Sequence, residues 1–282
     1  MGIPLREKKH FALTGSPLGH SISPFIHTEL QKRAGIIADY KLIEADKSEL
    51  ESCFKERLLS LDGFNVTIPH KTGIIPFLDG VSKKAELFGA VNTVAVKDGK
   101  TKGYNTDCTG FIRAIGGAGI DLDGRVLILG DGGVSRMFIF ESALAGADIT
   151  LAVRNTAKAE GLKRELKKKL NYDCKLTVLD GADGEYDLII NGTPVGMYPY
   201  TDKSPLSEAA VKKSKAVFDA VYNPGETLLL KYAKENSLKY LNGLSMLVWQ
   251  AAAAEEIWND VKFSGEDIDE VIRLSEEYLK DE

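Results

Sequence analysis

Cysteine is scarce: Cys53, Cys108 and Cys174 lie far apart, are odd in number and form no C-x-x-C pair. That excludes a disulfide framework and a cysteine zinc site as expectations, and fits a reducing compartment, the cytoplasm. Basic charge gives no excess either. Thirty-six Lys and Arg stand against 41 Asp and Glu, for a formal net charge of -5. No overall field is available to hold nucleic acid or an anionic membrane, and neither is expected as a partner. No run approaches the ~20 apolar residues of a membrane span. The opening MGIPLREKKHFALTG holds no apolar core of signal-peptide length, so the chain is expected to be soluble and cytoplasmic. The four histidines show no H-x-x-x-H or H-x-x-E-H spacing. No metal site is expected, and His10, His20, His27 and His70 are read as structural or surface residues. Internal repeats and low-complexity blocks are absent too, which leaves periodicity and punctuation to define the organisation.

What is present is a chain with 44% hydrophobic and 27% charged residues, enough to build a core. Its first hundred residues alternate strand-like runs (HFALTG, DYKLIEA, GFNVTIP) with helical stretches (PFIHTELQKRAG, KSELESCFKERLL), the grammar of an α/β unit. VNTVAVKDGKTKGYN reads as a hairpin turning at Asp98-Gly99. From residue 125 the pattern is cleaner: RVLILG, a buried strand, is followed by GDGG, a helical VSRMFIFESALAGA and a second strand, DITLAV. This is a βαβ unit, and KLTVLD, DLIINGT and AVFDAVY continue it as a Rossmann-type, doubly wound parallel sheet. The last forty residues read as two helices. The expected fold is therefore α/β with two domains: 1–107 an N-terminal α/β domain, 108–242 the Rossmann-type domain, and 243–282 helices returning to the first.

A glycine-rich turn between strand and helix sets backbone N–H groups beside a positive helix terminus, which favours a pyrophosphate. Gly130, Gly132 and Gly133 give the room, with Val134 following. The loop departs from G-x-G-x-x-G in two ways: Ser135 takes the third glycine's place and Asp131 adds a negative charge. At the end of the second strand an acidic residue would accept bonds from an adenosine ribose and repel a 2′-phosphate. LAVRNTAKAE offers Arg154 and Lys158 instead, a phosphate clamp, so NADP is expected over NAD.

In LDGFNVTIPHKTG, Phe64, Val66, Thr67 and Ile68 read as a strand that Pro69 stops, leaving Lys71 in the loop beyond. A lysine is ordinarily solvated there. In GHSISPFIH, Ser21 and Ser23 precede a helix starting near Pro24, and either could be its N-cap. GHSIS is not the G-x-S-x-G of a serine hydrolase.

GHSISPFIH, NVTIPHK, GAVNTV, YNTDCTGF, LGDGGVSR, NGTPVGMYP, DAVYNPGETLLL and NGLSMLVWQAAAA together, in this order and at these intervals, resemble the shikimate dehydrogenase family over nearly the whole chain. The resemblance implies that Ser21, Ser23 and Tyr222 bind a substrate carboxylate, while Thr67, Asn92, Asp107 and Gln250 hold ring hydroxyls. It implies a catalytic pair, Lys71 and Asp107. It further implies cofactor contacts at the glycine loop (Gly130, Asp131, Gly132, Gly133, Val134, Ser135), at Arg154, Lys158, Thr193 and Ala220, and beside the nicotinamide at Gly243 and Met246. The implied reaction is reversible, NADP-dependent reduction of 3-dehydroshikimate to shikimate. A quinate or dual-specificity enzyme using NAD and a non-catalytic ligand sensor are the alternatives, and monomer or homodimer stays open. The chain departs from the family at Ser245, where glycine is common, and at Glu255, where an aromatic is usual.

The residue types suit this chemistry on their own terms. Hydride transfer to a ketone puts negative charge on the carbonyl oxygen, which needs a nearby cation or acid. Lys71 can supply both. Asp107 can orient the ammonium, and the sequence leaves open which of the two moves the proton. Neutral hydroxyls and amides suit a small polyhydroxylated acid.

Overall fold

The computed structural model describes residues 8–19 and 21–281. His20 lies outside the described residues, as do the side chains of Lys158 and Asp180. The chain divides into two compact units, one running to Gly110 and including Val248 onward, the other Phe111–Leu247.

The first unit carries β1 (Lys9–Gly15), β2 (Ala38–Glu44), β3 (Gly63–Val66), β4 (Gly80–Val81), β5 (Thr93–Lys97) and β6 (Lys100–Tyr104), ordered β2-β1-β3-β5-β6-β4. β1 runs parallel to β2 and β3, whereas β5 is antiparallel to β3 and β6. The β5–β6 hairpin turns at Asp98 (φ 52°) and Gly99 (φ 72°), the pair of left-handed residues that a two-residue hairpin loop needs. Phe64, Leu58, Ile74, Val91 and Val94 are buried together on one side of the sheet. Trp258, from the helix Gly243–Asn259, stacks on Phe11 at 4.5 Å and donates its indole N–H to the Val94 carbonyl at 2.9 Å. Gly63 permits this approach: a Cβ there would stand 2.3 Å from the indole nitrogen. The helices Ser23–Arg33 and Gly265–Asp281 meet through stacked Phe25 and Tyr278.

The second unit carries β7 (Arg125–Leu129), β8 (Asp148–Val153), β9 (Lys175–Val178), β10 (Tyr186–Asn191), β11 (Ser214–Asp219) and β12 (Lys239–Leu241). All are parallel, in the order β12-β11-β10-β7-β8-β9. The expected βαβ unit is present, with the helix Gly133–Ala145 joining β7 to β8. Strand order reverses between β7 and β10, the point at which such sheets open a crevice at their carboxyl ends. Phe111, Phe138 and Phe218 cluster in the core with ring centroids 4.6 to 5.6 Å apart. Among the described residues, no helix is long and apolar enough to cross a membrane and no acidic, histidine or cysteine group could hold a metal ion. The three cysteines are buried and form no disulfide.

Candidate active site

Register brings the polar motifs of the first unit to one end of its sheet. Leu13 of β1 pairs with Asn65 of β3, Asn65 with Thr93 of β5, and Thr93 with Tyr104 of β6. Because β5 runs against its neighbours, its start lies beside the ends of β1, β3 and β6. The loops carrying Ser21, Thr67, Lys71, Asn92 and Asp107 all leave the sheet at that end.

The Lys71 loop is held at several points. Thr67 N–H donates to the Thr14 carbonyl and His70 N–H to the Thr67 carbonyl, both at 2.8 Å. His70 is buried and its Nε2–H donates to the Ala45 carbonyl at 2.6 Å, which fixes the tautomer because a carbonyl only accepts. The Lys71 carbonyl accepts from Val91 N–H at 2.7 Å. From this mount Lys71 Nζ reaches Asp107 Oδ2 at 2.7 Å, both side chains remaining partly exposed (32% and 20%), so a ligand can meet them. Asp107 opens the helix Asp107–Gly117, where the macrodipole favours a carboxylate.

Asn92 Nδ2 donates to Asp107 Oδ1 at 2.8 Å and lies 3.3 Å from Gln250 Oε1. Its Oδ1 accepts from Thr106 N–H at 2.6 Å, which sets the orientation of the amide. Lys71, Asp107, Asn92 and Gln250 thus form one cluster, with Thr67 on the lysine's own loop. Ser21 and Ser23 are joined to each other, Oγ to Oγ, at 3.2 Å. The helix starts at Ser23 with Ile22 as N-cap and no side-chain cap, so the N-cap reading of either serine is corrected: the Ser21 hydroxyl bonds within its own turn.

In the second unit the cofactor candidates sit at strand ends. Gly130 follows β7 with φ +93°, and a Cβ there would lie 2.8 Å from Thr193 Cγ2, so the loops after β7 and β10 touch. Ser135 is buried and its Oγ donates to the Gly192 carbonyl at 3.2 Å, packing the helix closely in place of the third glycine. The helix Gly133–Ala145 has Gly132 as N-cap and no side-chain cap; Asp131 is half-buried beside it and Val134 lies in its first turn. Arg154 is exposed directly after β8. Ala220 follows β11, and Gly243 abuts it: a Cβ on Gly243 would come within 2.2 Å of the Ala220 carbonyl oxygen. Met246 is buried in the same helix, and Tyr222, half-buried, also belongs to this unit.

Sequence reading passed over four residues that hold this second set. Asn191 Oδ1 accepts from the Thr193 N–H at 3.0 Å and from its hydroxyl at 2.7 Å. Asp219 accepts from Asn191 Nδ2 (2.9 Å), Val221 N–H (3.0 Å) and Thr227 Oγ1 (2.7 Å), and burial pushes its carboxyl up to about 6. Asn191 and Gly192 lie inside NGTPVGMYP, and Asp219 and Thr227 inside DAVYNPGETLLL, but their residue types do not mark them as supports of these loops.

The geometry has counterparts in known proteins. A family model described as the shikimate dehydrogenase substrate binding domain matches residues 13–94. A shikimate dehydrogenase (NADP(+)) from Caldanaerobacter subterraneus subsp. tengcongensis is 40% identical over 270 residues, covering 94% of this chain and 96% of that one. The chain belongs to the shikimate dehydrogenase family. A second family member, from Methanocaldococcus jannaschii, is 40% identical over 90% of this chain and 92% of its own. The crystal structure of shikimate 5-dehydrogenase from Thermus thermophilus with NADP(H) and shikimate superposes with a TM-score of 0.86 at 33% identity, covering 95% of this chain and 99% of that one.

Proposed function

We propose that this protein is an NADP-dependent oxidoreductase that reversibly reduces 3-dehydroshikimate to shikimate, a step towards the aromatic amino acids. The observation that carries the reading is the Lys71–Asp107 pair at 2.7 Å, with Asn92 on the second carboxylate oxygen and Gln250 beside it. Family membership supports it.

On this reading, the first unit takes the substrate and the second the cofactor. The glycine loop Gly130–Ser135 and the uncapped helix behind it suit a diphosphate, and exposed Arg154 with Lys158 suits a 2′-phosphate. Thr193, Ala220, Gly243 and Met246 would line the nicotinamide end. Bound NADPH supplies the hydride. Ser21 and Ser23 hold the substrate carboxylate by neutral hydroxyls, and Thr67, Asn92 and Gln250 pair with its ring hydroxyls. Lys71 sets a positive charge beside the carbonyl oxygen as it gains electron density, and the Lys71–Asp107 pair delivers the proton that makes it a hydroxyl. Asp107 keeps the ammonium aimed and then accepts from the new hydroxyl. A cytoplasmic location fits three cysteines that form no disulfide.

The test is NADPH formation from NADP and shikimate, beside NAD, quinate and a Lys71→Ala variant. Turnover with shikimate and NADP that falls by at least ~100-fold in the variant is the expected result. Preference for quinate with NAD, or binding of both ligands without turnover, would overturn it.

A further inference from the structure

A file of buried polar side chains runs from the catalytic carboxylate into the core of the first unit and ends at a tyrosine that no part of the proposed chemistry employs. Tyr40 O–H lies 2.7 Å from Asn65 Oδ1; Asn65 Nδ2 lies 2.9 Å from Thr93 Oγ1; Thr93 Oγ1 lies 2.9 Å from Thr106 Oγ1; and Thr106 meets Asn92 through both its N–H and its hydroxyl. Asn92 then donates to Asp107 Oδ1. Tyr40, Asn65, Thr93, Thr106 and Asn92 are all buried, none more than 9% exposed.

The donors at the two ends of the file can be assigned. Asn65 must turn Nδ2 towards Asn92, because the Asn92 backbone carbonyl, 3.1 Å away, can only accept. Its Oδ1 therefore faces Tyr40, which must donate. Thr93 Oγ1 receives the Asn65 N–H and shares a hydrogen bond with Thr106 Oγ1 in which either hydroxyl can donate. Asn92 Oδ1 accepts from the Thr106 backbone N–H at 2.6 Å, which turns Nδ2 to Asp107 Oδ1 at 2.8 Å and to the Thr106 hydroxyl oxygen at 2.9 Å. The file is continuous from Tyr40 to the carboxylate, and hydrogen bonds linked in this way polarise one another. Tyr40 is a firm end for the file. Its ring stacks on His27 at 4.0 Å, and burial, then the Glu255 charge, push its hydroxyl well above the ordinary range, so that it stays a donor.

We propose that Tyr40 and Asn65, both buried within this file, are positioning residues that act through Thr93, Thr106 and Asn92 to aim the Asp107 carboxylate at Lys71. With the Asn92 amide reversed, its oxygen would confront Asp107 and the carboxylate would be free to turn from the lysine. Losing the Tyr40 hydroxyl unpairs Asn65 Oδ1 and removes one of the constraints against that reversal. The inference rests on the shikimate dehydrogenase reading given above.

The experiment is a double-mutant cycle between Tyr40→Phe and Asp107→Asn, read as shikimate affinity by calorimetry, with kcat and KM for NADP measured where turnover persists. In the unaltered background Tyr40→Phe should lower shikimate affinity and kcat about fivefold, the worth of one buried hydrogen bond, and leave KM for NADP unchanged. In the Asp107→Asn background it should change shikimate affinity by less than about twofold. Thr93→Val should reproduce the loss and Thr93→Ser should restore function, so the relay stays testable if one variant does not fold. Equal losses in both backgrounds, or a lowered Tm with unchanged kinetics, would overturn the relay alone. An unaltered protein that neither binds nor oxidises shikimate would overturn the functional reading and the relay with it.

Discussion

Glu255 Oε1 stands 2.7 Å from His27 Nδ1, and solvent reaches neither side chain. The same carboxylate accepts from Gln31 at 2.9 Å and from Asn259 at 2.8 Å. Glu255 is thus the centre of a polar cluster joining the helices Ser23–Arg33 and Gly243–Asn259. Removing one member of such a cluster strands the others. Glu255→Ala is expected to cost ~3 kcal/mol of unfolding free energy in urea, because a buried partner is left uncompensated. An unchanged midpoint would show that the cluster contributes nothing net.

A methyl group at Gly15 would stand 2.3 Å from Thr67 Cγ2 and 2.8 Å from the Ile68 carbonyl oxygen. The second of these is backbone and cannot swing aside, so Gly15→Ala must push the loop that mounts Lys71. A displacement near 1 Å at a reacting group costs on the order of 100-fold in rate. The variant should fold, bind NADP normally and lose kcat with shikimate by that order. Wild-type kcat would show that the Lys71 mount does not depend on this contact.

Asp219 titrates at about 6 in the folded chain against an ordinary value of 3.8. The native state therefore binds more protons than the unfolded state between these values, and stability falls as pH rises through the window. The cost of the buried charge is absent below about pH 3.8, complete above about pH 6, and on the order of 3 kcal/mol. Asp219→Asn removes the titration. The difference in unfolding free energy, variant minus wild type, should rise between pH 4 and pH 6.5 and then level off, as read from denaturant midpoints. A flat difference would mean that Asp219 is not the titrating group.

Arg154 is exposed at the end of β8, where a 2′-phosphate would meet it. Arg154→Ser should raise KM for NADP by about tenfold or more, the worth of charge-assisted hydrogen bonds, and leave KM for NAD within about twofold. A parallel rise for both cofactors would place Arg154 away from the phosphate that distinguishes them.

The β7–glycine loop–helix–β8 unit is legible in the sequence because each of its signals is local. A short apolar run makes a buried strand, glycines make the turn and small residues let the helix pack close. Asp98-Gly99 is legible for the same reason, since two adjacent left-handed residues select their own hairpin. Strands β4 and β12, with two and three residues, are too short to show any period.

The placement of Lys71 against Asp107 rests on sheet register instead, which aligns Asn65, Thr93 and Tyr104 in one row and so sets three loops at one end. Asn92 meets Gln250 across 158 positions of sequence, and His27 meets Glu255 across 228. No local propensity encodes such pairs. Strand pairing and helix packing decide them, because burying these polar groups is tolerable only where the fold returns a partner to each.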